Sequence, residues 1–488
     1  MKKLIKIVSA GLAAVALMMT ISGCGGKKDS IVTIDWYLPK WNDNMTSQTM
    51  VEDKLNEIFE KEIGARVKLH LVSAADWNDK MNVVLNSGEE FDIMTIMSWY
   101  PAASYDSNAP KGVFRELNDL VDKYGKDIKA KVDPRAWQYV TYNDKIQLVP
   151  SQLKLYNEIG WVFKKDLVEK YNFDYKSVKT MKDLEPYFDT LLANEPDIVP
   201  VLDIVTPNWG YSDIVAMGGG KTVVFDEEKE EFIFMLEDPR TIEDYRLRND
   251  WYKKGYFPKD ALTLNVSEAK KTGKYAVIRD SGAITEDGSK STANFGFPCL
   301  DLGVENHEPT TATTFQCGQA ISYKSPNPEK AMQMLNLVWK DPYISNTLAY
   351  GIEDVDYYYI SGKGTDRPSV ELKNASEQTW GIGHNFIGPL FDQWDSSWNS
   401  YEALREMEEG NKNVVISKRA DVQFDAAPIK TELAALSEVW KSAENVLNYG
   451  AMTDFDSYMD ELIQKCKNAG VDKVIDELNR QYKVARGK

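Results

Sequence analysis

Ile31-Val32-Thr33-Ile34-Asp35-Trp36-Tyr37 is rich in β-branched residues and closes on two aromatics, which predicts a strand. Met50–Ile63 follows with Val51, Leu55, Ile58 and Phe59 at helical spacing, and Gly64 stops it. Val67–Val72 predicts a second strand. Asp76–Asn86 predicts a second helix, with Trp77, Met81, Val84 and Leu85 sharing a face before Ser87-Gly88 breaks it. Phe91–Met97 is an apolar run that predicts a buried strand leading into Ser98-Trp99-Tyr100. Strand, helix, strand, helix, strand is the alternation of an α/β unit with a parallel sheet. Such sheets bind ligands beyond the carboxyl ends of their strands. Trp36-Tyr37 and Trp99-Tyr100 both fall at strand ends in this reading, which makes them the first site candidates.

Upstream, Lys2, Lys3 and Lys6 precede an apolar run from Ile7 to Met19, which stops at Thr20-Ile21-Ser22-Gly23-Cys24. The run is shorter than the ~20 residues of a spanning helix and has the layout of a secretory signal peptide. Ile21-Ser22-Gly23-Cys24 resembles a bacterial lipobox, in which the cysteine is acylated and the signal is cut just before it. Residues 1–23 are therefore expected to be a signal peptide and Cys24 a lipid anchor. The expected location is the outer face of the cytoplasmic membrane.

The 488 residues carry a formal charge of −17. Loss of residues 1–23, with three lysines and no acids, leaves 465 residues at −20. An acidic surface of this kind opposes nucleic-acid binding, which needs clustered Lys and Arg. Cys24 aside, Cys299, Cys317 and Cys466 allow at most one disulfide, and only Cys299 and Cys317 are near each other in sequence. His70, His307 and His384 are scattered, and no Cys/His spacing suggests a metal. No cofactor is expected.

Farther along, Phe114–Val121 predicts a surface helix, Asn143–Gln152 a turn and strand stopped by proline, and Glu158–Phe163 a further extended run. Val149–Gln152 is read as a crossing between two domains. Lys274–Arg279 predicts a strand, Phe295–Pro298 a second crossing, and Ala320–Lys324 a strand returning to the first domain. Asn327-Pro328-Glu329 opens a helix with proline in its first turn. Lys430–Tyr449, Phe455–Ala469 and Val471–Val484 are helical, with Gly470 at a helix end. Gly218-Gly219-Gly220-Lys221-Thr222 ends like a P-loop, but Val215 stands at its first glycine position. The acidic runs Asp226–Glu228 and Glu230-Glu231 read as solvated faces.

Several of these segments together resemble the family 1 extracellular solute-binding proteins of ABC importers. Phe91-Asp92-Ile93-Met94 before Ser98-Trp99, Gly160–Leu167, Lys324–Ala331 and Leu348–Glu353 each match a segment of that pattern. Thr379–Phe386 and Phe424–Glu432 are similar to a subgroup with a C-terminal helical extension, the LplA-like or aldouronate-type sugar-binding lipoproteins. The resemblance implies an α/β, two-lobed periplasmic-binding-protein-like (type II) fold with an interlobe cleft. Lobe 1 is expected over 24–148 and about 299–349. Lobe 2 is expected over about 149–298 and 350–488, with extra C-terminal helices from about 425. It also implies a monomeric, non-enzymatic binder that captures a carbohydrate, of oligosaccharide size, and delivers it to an ABC permease. A secreted glycan-active lipoprotein enzyme and a ligand sensor for a membrane receptor are the alternatives.

A sugar site needs flat aromatic faces and placed polar groups. By position in the family pattern, Trp99 and Tyr100 are the foremost candidates, followed by Trp36, Tyr37 and Trp41. Trp209 and Tyr211 are expected from the second lobe. Asp280 stands where the pattern has an aromatic, which leaves the stacking partner there open. Gln152, Phe315, Gln316, Trp380, His384 and Asn385 complete the set. Each aromatic also has a plain reading as core, and His384 one as a structural hydrogen-bond partner.

Overall fold

The computed structural model describes residues 31–487, apart from 157–158, 205–210, 214–219, 282–283, 285–287, 305–309, 375–376 and 423. Cys24 and Trp209 lie outside the described residues. In the first lobe, β1 (Val32–Lys40) pairs in parallel with β2 (Ala65–Ser73) and with β3 (Ile93–Ile96). Helices α1 (Gln48–Ile63) and α2 (Trp77–Ser87) make the connections. Val51, Leu55 and Phe59 of α1, and Trp77, Met81 and Val84 of α2, are buried, because a 3.6-residue period gathers them on one stripe. Two later strands complete the sheet in antiparallel sense. Gly318–Ile321 pairs with β3 on one side and with Val149–Pro150 on the other. The approach is close: a Cβ on Gly318 would lie 2.0 Å from the Val149 carbonyl oxygen.

β1 runs three residues beyond its expected end, to Lys40. Trp36 and Tyr37 are thus mid-strand and point to opposite faces of a sheet covered on both sides. Trp36 joins the core with Ile34, Leu38 and Trp339, and Tyr37 the core with Trp77, Phe91 and Met94.

The second lobe is built on Ile159–Lys164, which pairs antiparallel with both Tyr275–Ser281 and Cys299–Val304. Val199–Val201 adds in parallel to Tyr275–Ser281. Trp161 and Phe163 face one core and Val162 the other. Residues 299–304, expected in lobe 1, therefore belong to the second sheet, and the chain returns to lobe 1 only after Val304. Phe295, expected at a crossing, is buried against the second sheet with Val162 and Ile278. The segment after 350, expected in lobe 2, also differs. Tyr357, Val370, Trp380, Ile382, Ile387 and Trp394 are buried in the first lobe's core. Periodicity identifies such residues as buried but carries no information on which sheet they cover.

A third core joins residues 211–245 to the chain from Val422 onward. Tyr211–Asp213, Val223–Asp226 and Glu231–Phe234 form an antiparallel three-stranded sheet. The helices Lys430–Tyr449, Phe455–Asn468 and Val471–Ala485 cover it through Leu436, Leu447, Leu462, Leu478 and neighbours. No helix among the described residues is long and apolar enough to cross a membrane.

Cys299, Cys317 and Cys466 are free and buried, so the possible Cys299–Cys317 bridge is absent. Burial pushes the Cys299 and Cys317 thiols up to about 12 and Cys466 up to about 11, which suppresses the reactive thiolate at ordinary pH. In a Cys24→Ser protein at pH 8 we expect no thiol to react rapidly with a chromogenic disulfide reagent in the native state. All three should react in denaturant.

Candidate functional site

β1 ends at Lys40 and β3 at Ile96, so Trp41 and Trp99 stand just beyond the carboxyl ends of adjacent parallel strands. Both are unusually open for tryptophan, 54% and 41% exposed. Phe386 stands between them, its ring centroid 5.7 Å from that of Trp41 and 5.3 Å from that of Trp99. It arrives from far along the chain because residues 381–383 run beside the end of β1. The Trp41 N–H donates to the Gly381 carbonyl (2.8 Å) and the Gly383 N–H to the Pro39 carbonyl (3.0 Å). Position 383 cannot carry a side chain without moving the row, since a Cβ there would lie 2.3 Å from Trp41 Cζ3. The Phe386 carbonyl is anchored in turn by Gln319 Nε2 (2.6 Å) and Ser151 Oγ (2.7 Å).

A cavity of about 310 Å³ opens beside Trp99 and Phe386. Leu153, Lys154 and Thr314 of the crossings, together with Asn385 and Met407, complete much of its wall. The Lys154 ammonium lies 4.7 Å above the Tyr156 ring. Asn385 Oδ1 is buried and has no hydrogen-bond partner among the described residues.

Behind the Trp99 loop, Ser98 Oγ donates to the Gln316 carbonyl (2.7 Å) and accepts from the Tyr105 N–H (3.1 Å). Gln316 Nε2 donates to Asp106 Oδ1 (2.7 Å) and to the Tyr139 carbonyl (3.1 Å). Two acceptors at one end dictate the orientation of that amide. Its Oε1 is consequently a buried acceptor without a partner among the described residues. Protein crowds the Asp106 carboxyl, and desolvation raises its pKa against the Gln316 hydrogen bond and the charge of Arg419, which pull it down. Arg419 itself donates through Nε to Ser212 Oγ (2.9 Å) on the third sheet. The charge of Arg419 thus reaches Asp106 from a segment far along the chain.

The structure brings Trp41, Trp99 and Asn385 together and places Gln316 just behind them. The other candidates stand elsewhere or have partners within the protein. Trp380 donates from Nε1 to the Leu348 carbonyl (2.7 Å) in the core. Phe315 is buried and stacks on Tyr139 at 4.6 Å. Trp36 and Tyr37 are core, as described above. Gln152 uses both ends of its amide, donating to the Lys131 carbonyl and accepting from the Phe391 N–H, each at 3.0 Å. The Tyr100 hydroxyl donates to the Ala74 carbonyl (3.1 Å). Tyr211 sits in the third sheet with the Arg240 guanidinium 4.5 Å over its ring. Asp280 pairs with Lys270 at 3.3 Å in the second lobe. His384 opens the turn His384–Phe386, and its side chain lies outside the described set. Phe386, Asp106, Arg419 and Met407 escaped the sequence reading. Phe386 alone had a signal, as the last residue of the Thr379–Phe386 segment. No group of three or more metal-ligating side chains occurs among the described residues.

Open aromatic rings beside a cavity lined in part by Lys154, Thr314 and Asn385 form a surface for ligands that present both apolar faces and hydrogen-bonding groups. The pattern of the bacterial extracellular solute-binding proteins matches residues 42–341, more than half of the chain. The chain belongs to that family. This solute-binding protein also matches a domain of unknown function, DUF3502, over residues 422–485, the span of the third core's helices. It is 26% identical over 436 residues to a carbohydrate ABC transporter substrate-binding protein of Streptococcus pneumoniae serotype 4, covering 88% of this chain and 86% of the relative. Among solved structures it is similar to the N-glycan transport solute binding protein NgtS of Streptococcus pneumoniae. There the TM-score is 0.78 at 25% identity, over 92% of this chain and 98% of the other. Against NgtS in complex with Man5GlcNAc the TM-score is 0.67 at 25% identity, over 92% and 97%.

Asp106 is tested by replacement with asparagine, which keeps the acceptor for Gln316 and removes the charge. A carboxyl whose folded pKa is raised destabilises the fold, relative to a neutral group, above that pKa; the penalty fades as pH falls through it. We expect Asp106→Asn to stabilise the unliganded protein at pH 7 by about 1 kcal/mol. The advantage should shrink on acidification, as read by urea unfolding across pH. Equal stability of the two proteins at pH 7 would refute this account.

Proposed function

We propose that this solute-binding protein is a lipid-anchored receptor that captures a carbohydrate of oligosaccharide size and delivers it to an ABC permease. The observation that carries the reading is the Trp41–Phe386–Trp99 row beside a cavity of about 310 Å³ that Asn385 helps to line. Exposed rings of this size are costly to leave in water. They suit the C–H faces of pyranose rings, and the amide of Asn385 on the cavity wall suits a hydroxyl. The similarity to a carbohydrate substrate-binding protein and to NgtS, whose complexes hold Man1GlcNAc and Man5GlcNAc, supports the same class of ligand.

In this reading Trp99 and Trp41 stack on sugar rings, and Asn385 accepts from or donates to a hydroxyl. Asp106 and Gln316 brace the Trp99 loop from behind. Closure of the lobes presents the loaded protein to the permease, and the tether at Cys24 keeps it near the membrane at high effective concentration.

The test is a thermal-shift and calorimetric screen of mannose- and N-acetylglucosamine-containing oligosaccharides beside a peptide panel. Ligand at about 100 times its Kd stabilises the folded state by about 2.7 kcal/mol. Trp99→Ala is expected to cost about 2 kcal/mol of affinity, roughly 30-fold, with folding retained because the ring belongs to none of the buried cores. Stabilisation by peptides and by no saccharide would overturn the assignment. The anchor has its own test. Cys24→Ser expressed in a bacterial host should appear as soluble, folded protein, and its persistence in the membrane fraction would contradict the lipid tether.

A further inference from the structure

Three stretches of chain pass between the lobes, and they are fastened to one another. The first carries Leu155 of the first core on to Ile159 of the second. The second returns after Val304 and re-enters the first core at Phe315. The third leaves the first core at Ala420 and joins the helical unit at Val422. Thr310, on the second, touches the start of the first and the stretch that leads into the third. Its N–H donates to the Val415 carbonyl (2.7 Å), its carbonyl accepts from the Ser417 N–H (2.9 Å), and its hydroxyl donates to the Leu155 carbonyl (2.5 Å).

Asn411, at the end of the helix Tyr401–Lys412, makes a second fastening. Its Nδ2 donates to the Leu153 carbonyl (2.7 Å) and its Oδ1 accepts from the Leu155 N–H (2.8 Å). One side chain thereby satisfies two backbone groups of the first crossing as a neighbouring strand would. Arg135 of the first lobe, paired with Asp133, donates to the Asn411 carbonyl (2.8 Å). Thr310 is 5% and Asn411 8% exposed, so water cannot replace these bonds without the crossings separating. Neither residue lines the cavity. Yet Leu153, Lys154 and Met407, which do, lie on the same crossing or helix.

We propose that Thr310 and Asn411 are positioning residues that tie the three crossings into a single hinge, and that this tie sets how narrowly the lobe–lobe angle is distributed before ligand arrives. Untied crossings bend independently, and a ligand must then order them on binding, at a loss of affinity. The affinity half of this inference rests on the carbohydrate reading, whereas the distribution half does not.

The experiment places spin labels on exposed sites of the two lobes, in α2 of the first and the helix Pro239–Lys254 of the second, as Asn82→Cys and Lys253→Cys in a Cys24→Ser background. The three remaining native cysteines are buried and do not compete for label. Pulsed dipolar spectroscopy without ligand should show a broader distance distribution for Thr310→Val, which removes only the hydroxyl, and for Asn411→Leu. Thr310→Ser should restore the wild-type width, and Asn411→Asp, which keeps the acceptor, should fall between. Affinity for the disaccharide Man1GlcNAc should fall about five- to tenfold in Thr310→Val and recover in Thr310→Ser. Wild-type widths in Thr310→Val and Asn411→Leu would overturn the hinge assignment. If Asn411→Leu does not fold, unchanged widths in Thr310→Val and Asn411→Asp overturn it equally. A wild-type protein that binds no saccharide would sink the carbohydrate reading and leave the width measurement to decide the hinge.

Discussion

Gln319 holds the first lobe together where its parts meet. It lies fully buried in the strand Gly318–Ile321. Its Oε1 accepts from Trp36 Nε1 (2.8 Å) on β1 and from Thr95 Oγ1 (3.2 Å) on β3, and its Nε2 donates to the Phe386 carbonyl (2.6 Å). The indole N–H can only donate and the carbonyl can only accept, so the amide has one possible orientation. One side chain thus joins two parallel strands, the strand that returns from the second lobe, and the segment carrying the central ring of the aromatic row. Every polar atom of that junction is satisfied, which is what makes a buried polar cluster tolerable and specific. Losing the amide would strand an indole N–H and weaken the hold on the site at the same moment.

From this junction the site follows. Trp41 and Trp99 are exposed because their strands stop just before them. Phe386 stands between them because Gln319 and Ser151 hold its carbonyl and because Gly383 leaves room for the neighbouring indole. The cavity wall then draws on the first lobe, on the first two crossings and on Met407 of the helix Tyr401–Lys412. Its rigidity therefore depends on how firmly those crossings are tied. Two sheets with separate cores, joined by narrow bonded strands, suit a protein that must hold two rigid surfaces at an adjustable angle.

Particular residues show what could be read in advance. The parallel unit over 31–97 was legible, because Val51, Leu55 and Phe59 or Trp77, Met81 and Val84 announce their helices by spacing alone. Trp99 was legible as a strand-end aromatic, and Trp41 only through the family pattern. Trp36 and Tyr37 were misplaced by three residues of strand, enough to turn expected platforms into core. Gln152, Phe315 and Trp380 lie in the expected neighbourhoods, but packing and backbone hydrogen bonds occupy them. Asp106 and Arg419 had no local signal. Their meaning comes from an encounter between segments more than 300 residues apart.

The sequence by itself determined the elements, the alternation that makes an α/β lobe, the acidic exterior and the family pattern. These depend on periodicity and composition, which are local properties of a chain. Only the tertiary structure decided which sheet receives residues 299–304, which core buries Tyr357, Val370, Trp380 and Trp394, and which aromatics stay open. Those outcomes depend on long-range pairing. A strand carries the same residues whichever neighbour it joins, and a tryptophan is platform or core according to what covers it.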